Sequence, residues 1–262
     1  MDEMKFDVAV AIARTLEIRL EEFAPGARAI ELDGELWIFV NDPSISTPEQ
    51  LKGEKSIIGM PLKDGVVAIH YVLVDWIPTD QERVALGLGR TAETVRMALR
   101  KLLDLPSTFD TSQEALIAEA LKPINALGIT PVRMTLLDQQ GERKPDAADT
   151  LARRVSSGAG LAFIEAEAGK GKTVLLASAA QRLRMDKRGK LPVFIPLRKL
   201  PLTAGIAWDS ITQLIGIVGE GADRLVRAVK SGLVSVFLDG IDEVAGRYDK
   251  NLIRDLLELI AQ

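Results

Sequence analysis

Phe163-Ile164-Glu165-Ala166-Glu167-Ala168-Gly169-Lys170-Gly171-Lys172-Thr173 reads as a strand, a glycine-rich loop and the start of a helix. A loop of this kind turns backbone N–H groups toward an anion at a helix N-terminus, where unpaired donors and the helix dipole favour phosphate. Ala168, Gly169 and Gly171 would cradle the anion, Lys172 would reach the outer phosphates, and the Thr173 hydroxyl would ligate magnesium. The general pattern is G-x-x-x-x-G-K-[ST], and Ala166 replaces its first glycine here.

Downstream lies Leu233-Val234-Ser235-Val236-Phe237-Leu238-Asp239-Gly240-Ile241-Asp242-Glu243. Its nearly continuous apolar run fits a strand buried on both faces of a parallel sheet. Asp239, at the carboxyl end of that strand, stands where a nucleotide's magnesium would be held. Asp242 and Glu243 follow closely enough to orient a water. A solvated acidic loop after a core strand is the plainer explanation of these carboxylates, and the phosphate loop upstream argues against it.

Around this pair of motifs the chain alternates strands and helices. Gly160 to Glu165 is expected to be a strand and Thr173 to Met185 a helix. Pro192 to Leu197 is expected to be a strand, its two prolines marking a sheet edge. Trp208–Val218, Ala222–Lys230 and Asn251–Ala261 read as helices, as does Thr150–Ser156. This alternation implies α/β architecture with a parallel sheet.

Three segments resemble one family. The loop from Ala166 to Thr173 resembles the nucleotide loop of NACHT proteins, a branch of the STAND class of P-loop NTPases. Leu191-Pro192-Val193-Phe194-Ile195-Pro196-Leu197-Arg198 resembles the family's second strand. Phe237-Leu238-Asp239-Gly240-Ile241-Asp242-Glu243 is similar to its Walker B, with a small residue after the first aspartate and an acidic pair two positions on. The resemblance covers roughly residues 150–262. It implies a signalling switch that exchanges ADP for ATP and assembles, with many members acting in immunity, including bacterial defence. By position it gives Lys172 the β/γ-phosphates, Thr173 and Asp239 the Mg²⁺, and Asp242 and Glu243 the attacking water, with ATP or GTP as nucleotide. Protein partners or self-association are implied as well. In this fold class the strand after Walker B inserts between the Walker A and Walker B strands. The sequence ends one helix after Walker B, at Gln262. The expectation is therefore an incomplete P-loop NTPase sheet, a fragment with weak or absent hydrolysis.

The first 140 residues carry none of this resemblance and read as a separate α+β domain. Apolar residues at helical spacing predict a helix over residues 5–23, ending before Pro25-Gly26. Asp33-Gly34 between apolar runs predicts a hairpin, and Lys63-Asp64-Gly65 before Val66–Ile77 predicts a second, with Ser56–Met60 as its other strand. Asp80–Leu86 and Thr91–Leu102 read as helices around Gly87-Leu88-Gly89, with Thr91 as N-cap. A further helix is expected over 113–127, bent at Pro123. The polar stretch 138–146 marks the domain boundary.

That helix pair also fits helix-turn-helix spacing at about 80–104, with Arg90, Arg96, Arg100 and Lys101 able to meet DNA phosphates. An ordinary helix pair with a solvated basic face is the preferred reading, because the pattern is short and the chain's net charge of −4 offers no general attraction to nucleic acid. An interaction or effector module is the third reading of this region. His70 lies on one face of an apolar strand, and no nucleophile motif accompanies it.

Bulk composition narrows the classes. The 262 residues are 47% hydrophobic and 27% charged, which excludes global disorder. The absence of cysteine excludes disulfides and thiolate metal sites. No apolar run is long enough to span a bilayer, and Met1-Asp2-Glu3 is not a secretory opening, so a cytoplasmic protein is expected.

Overall fold

A computed structural model describes residues 7–24, 26–42, 44–45, 47–53, 65–73, 90–126, 135–137, 141–156, 162–167, 169–186, 190–200 and 208–244. The protein is α/β. Its described residues fall into two compact units, one up to Leu103 and one from Asp104 onward, a division ahead of the polar stretch at 138–146. Among the described residues no helix is long and apolar enough to cross a membrane.

In the first unit, α1 (Val8–Leu16) is capped by Asp7, whose carboxylate accepts from Val10 N at 3.2 Å. The helix stops well short of the expected residue 23. Glu17 takes the left-handed conformation, and the Ile18 N–H returns to Ala13 O at 3.0 Å, closing the last turn. Glu21–Ala24 is then strand β1, and Phe23, whose spacing had matched the helix, packs on the sheet core instead.

The sheet runs β1, β2 (Ala27–Leu32), β3 (Glu35–Val40), β4 (Ala68–Leu73), β5 (Arg90–Thr94). The β2–β3 hairpin is as expected. Asp33 and Gly34 both have positive φ, 53° and 77°, which is the two-residue turn that suits the twist of paired strands. β3–β4 and β4–β5 are parallel, so the sheet is mixed. β4 therefore has parallel neighbours on both sides and is not the second strand of a hairpin. Residues 56–60 lie outside the described ones. The β3–β4 crossover carries a short helix, α2 (Pro48–Gly53), whose Leu51 is buried.

The expected helix Thr91–Leu102 divides in two. Residues up to Thr94 belong to β5, and the helix α3 (Val95–Leu102) begins after Thr94, whose hydroxyl accepts from Met97 N at 3.2 Å. Thr94, not Thr91, is the N-cap. Asp80–Leu86 and Gly87-Leu88-Gly89 lie outside the described residues.

The second unit begins with α4 (Thr108–Ala126), which starts earlier than expected and contains Pro123. A two-residue ladder, β6 (Leu136–Leu137) with β7 (Arg143–Lys144), precedes α5 (Ala147–Ser156). α6 (Lys172–Met185) packs on α4, α5 and a parallel pair of strands, β8 (Leu191–Pro196) and β9 (Val234–Asp239). Between those strands come a 3₁₀ turn (Leu197–Lys199), α7 (Trp208–Leu214) and α8 (Glu220–Lys230). A four-residue helix, α9 (Ile241–Val244), follows β9.

The outer edge of β8 shows why its prolines are tolerated. Leu191 N donates to Leu233 O, on the β9 side, so the alternate residues 192, 194 and 196 face away. Two of these are prolines with no N–H to lose. The third, Phe194, donates to the buried Gln113 Oε1 of α4 at 2.7 Å. That edge is left without a free donor.

A strand was expected over Gly160–Glu165, and its described part, residues 162–165, is not one. An apolar run becomes a strand only where a neighbour offers a ladder, and no described residue offers one here. Phe163 is 69% exposed. Gly160, Leu161 and Asn251–Ala261 lie outside the described residues.

Candidate functional site

The glycine-rich loop and the acidic end of β9 meet. Gly171 is the N-cap of α6 with φ at 86°, and Leu175 N donates back to Gly171 O at 2.9 Å as the helix's first bond. Gly169 also has positive φ, and Lys170 N turns back to Glu167 O. These conformations strain any residue with a Cβ, which accounts for glycine at both positions.

Helix α6 puts Lys172 and Thr173 in its first turn. The Thr173 hydroxyl donates to Asp239 Oδ1 at 2.8 Å, across a sequence separation of 66 residues. Lys172 Nζ donates to the Ala166 carbonyl at 2.7 Å and lies 3.0 Å from Asp242 Oδ2. Glu243 belongs to the same short helix as Asp242 and reaches back over Gly240. Gly240 has φ at 84°, and a Cβ there would lie 3.6 Å from Glu243 Oε2. The small residue after Asp239 is thus required by the turn that swings the acidic pair around. Ala168 lies outside the described residues; the other expected site residues, Gly169, Gly171, Lys172, Thr173, Asp239, Asp242 and Glu243, are described, and the contacts above tie Lys172 to Asp242 and Thr173 to Asp239.

The three carboxylates differ electrostatically. Burial pushes the Asp239 carboxyl above its ordinary value, and the charges of Asp242 and Glu243 push the same way. The Thr173 hydroxyl and Arg198 oppose them. Asp242 is exposed and is held below its ordinary value, chiefly by Lys172. Arg198 follows β8, whose Pro196 is opposite Asp239 in the ladder, and its 3₁₀ turn packs on α9. Sequence reading quoted Arg198 within a strand pattern and gave it no role. Its signal was a cation placed just past the carboxyl end of a parallel strand, where α/β ligands gather.

The donors present suit a phosphate with a hard cation. Thr173 and Asp239 offer oxygen ligands of the kind Mg²⁺ takes. Lys172 and Arg198 offer positive charge, and the start of α6 offers backbone donors.

A second charged cluster lies in the first unit. His70 is buried and stacked on Trp37 with ring centroids 4.0 Å apart. Its Nδ1 is 2.7 Å from Thr91 Oγ1, and its Nε2 is 3.3 Å from Glu35 Oε2. Glu93, nearly fully buried, lies 3.7 Å from His70 Nδ1 and accepts from Lys101 Nζ at 2.5 Å. Lys101 also sits 5.7 Å above the Trp37 ring. Burial pushes the Glu93 carboxyl up, but His70 and Lys101 outweigh it and hold the group below its ordinary value. His70 was read as part of a strand face, and β4 does carry it; its charged neighbours were not foreseen. Among the described residues no group of His, Asp or Glu is arranged to hold a metal ion by itself.

Arg90–Thr94, in the middle of the expected helix-turn-helix, is a strand. Arg96, offered above as a phosphate contact, is buried. Residues 80–89, the first part of that pattern, lie outside the described residues.

No family model, no curated protein and no solved structure matches this chain.

Proposed function

We propose that the second unit is a nucleotide site of the P-loop NTPase kind, and that the protein is an ATP- or GTP-dependent signalling switch resembling NACHT proteins. The observation that carries this is the Thr173–Asp239 hydrogen bond. Two motifs read separately in the sequence meet through the two side chains that share one Mg²⁺ in such a site.

In this reading Lys172 takes the outer phosphates, Gly169 and Gly171 let the backbone approach them, and Thr173 and Asp239 hold Mg²⁺. The magnesium would neutralise charge on the phosphates. It would also offset the desolvation of Asp239, which burial otherwise disfavours as an anion. Asp242 and Glu243 are the candidates to orient a water. Phosphoryl transfer asks mainly for positioning and charge neutralisation. A cytoplasmic role in defence or regulation, with protein partners or self-association, belongs to the same proposal, and the first unit is its interaction module.

Calorimetric titration with MgATP tests it. The protein should bind, and Lys172→Ala should lose at least tenfold in affinity, about 1.4 kcal/mol. Equal heats for the two proteins would end the nucleotide reading.

A further inference from the structure

We propose that Asp242 is an internal substitute for phosphate, an autoinhibitory contact that nucleotide must displace from Lys172. This deepens the nucleotide reading and rests on it.

The ammonium of Lys172 has three donors. One goes to the Ala166 carbonyl at 2.7 Å, and Asp242 Oδ2 engages the group at 3.0 Å. The cation that would read the outer phosphates is therefore already neutralised by the protein. The two partners are unequally placed. The Lys172 side chain is 24% exposed, whereas that of Asp242 is 63% exposed. Asp242 sits on a four-residue helix at the end of β9, so it can leave without disturbing the core. A pair open to solvent on its carboxylate side contributes little to folding. Its consequence is local: an arriving phosphate meets a carboxylate on the amine it needs, with Glu243 and Asp239 adding like charge nearby.

This assignment differs from the role of water orientation, and the two separate in binding. If Asp242 only orients water, Asp242→Asn leaves nucleotide affinity unchanged and affects turnover alone. If Asp242 occupies Lys172, the same substitution keeps the shape, removes the charge and frees the ammonium. MgATP affinity should then rise by roughly tenfold at low salt, and the gain should shrink as salt screens the repulsion.

The experiment compares wild type, Asp242→Asn and Lys172→Ala by MgATP titration at two salt concentrations. In parallel, Lys172 is labelled with a small amine-acylating reagent and read by mass spectrometry, with Lys230 as internal reference. Tighter MgATP binding together with several-fold faster labelling of Lys172 in Asp242→Asn supports the proposal. Unchanged or weaker binding by Asp242→Asn overturns it, even if labelling accelerates, because the pair would then exist without gating the site. Unchanged labelling overturns the pairing itself. If wild type and Asp242→Asn both fail to bind MgATP, the nucleotide reading falls and the displacement proposal with it, whereas binding by wild type that Asp242→Asn does not improve removes only the latter.

Discussion

His70 and Lys172 each sit among carboxylates, but their neighbours are carried by different kinds of backbone. Around His70 they come from adjacent strands in register: Trp37 opposite His70, and His70 opposite Thr91. Glu35 and Glu93 belong to the same two flanking strands, and only Lys101 comes from a helix. Ladder hydrogen bonds fix the backbone positions of those strand residues. Around Lys172 the neighbours are a loop carbonyl and a side chain on a four-residue helix. Nothing in a ladder holds them. Charge alone therefore does not tell the two clusters apart; what tethers the charges does.

The largest expected difference follows from burial. Trp37 is almost wholly buried and supports both His70 and Lys101. Trp37→Ala should cost about 3–5 kcal/mol in urea unfolding, as large-to-small core changes do. Lys172→Ala should change stability by less than about 0.5 kcal/mol, because its ion-pair partner Asp242 is exposed to solvent. If Lys172→Ala proved as damaging as Trp37→Ala, the open cluster would be structural after all.

A smaller effect separates the clusters by sign. Glu93 is held below its ordinary 4.5, so the folded protein binds fewer protons there than the unfolded chain. That contribution is present above 4.5 and lost as pH falls through the folded value. Asp239 is pushed above its ordinary 3.8, so its contribution is full below 3.8 and lost as pH rises through the folded value. Glu93→Gln should accordingly fall furthest behind wild type near neutrality and close the gap in acid. Asp239→Asn should gain most near neutrality and lose the gain in acid. Unfolding midpoints from pH ~3 to ~7 read both slopes, and slopes of one sign would remove the contrast.

The parts of this molecule legible in its sequence are those fixed by local chemistry. Asp33-Gly34 names its own turn, because few other pairs accept positive φ twice. The glycine-rich loop and the acidic strand end were legible as motifs, and the fold joins them through Thr173 and Asp239. What escaped depended on distant partners. Arg90-Thr91-Ala92-Glu93-Thr94 is polar and reads as the start of a helix; it is a strand because β4 supplies its ladder and because His70 and Lys101 make a buried Glu93 tolerable. Residues 162–165 show the converse, the described part of an expected strand with no ladder among the described residues. Gln113 could not be singled out, since its task is set by two prolines on a strand far along the chain. The Lys172–Asp242 pair escaped for another reason: Lys172 reads as a phosphate contact and Asp242 as a group that orients water, so the attraction between the two, 3.0 Å apart, does not stand out in the sequence.

The finest test concerns the two threonines of β5, one inside the strand and one at its junction with α3. Thr94 caps α3 through Met97 N, and the Thr91 hydroxyl is hydrogen-bonded with His70 Nδ1 and donates to Glu93 Oε1. Thr94→Ala should cost about 1 kcal/mol, the usual worth of an N-cap. Thr91→Val keeps the branched shape that a strand favours and removes only the hydroxyl, so its cost should be about 0.5–1.5 kcal/mol. Helical content over residues 95–102, followed by amide exchange, distinguishes them. Thr94→Ala should speed exchange in the first turn of α3, whereas Thr91→Val should leave that turn protected and loosen the pairing of β4 with β5. Exchange that quickens in the first turn of α3 for Thr91→Val would mean that the cap is shared, and that the His70 cluster and the helix start form one unit rather than two.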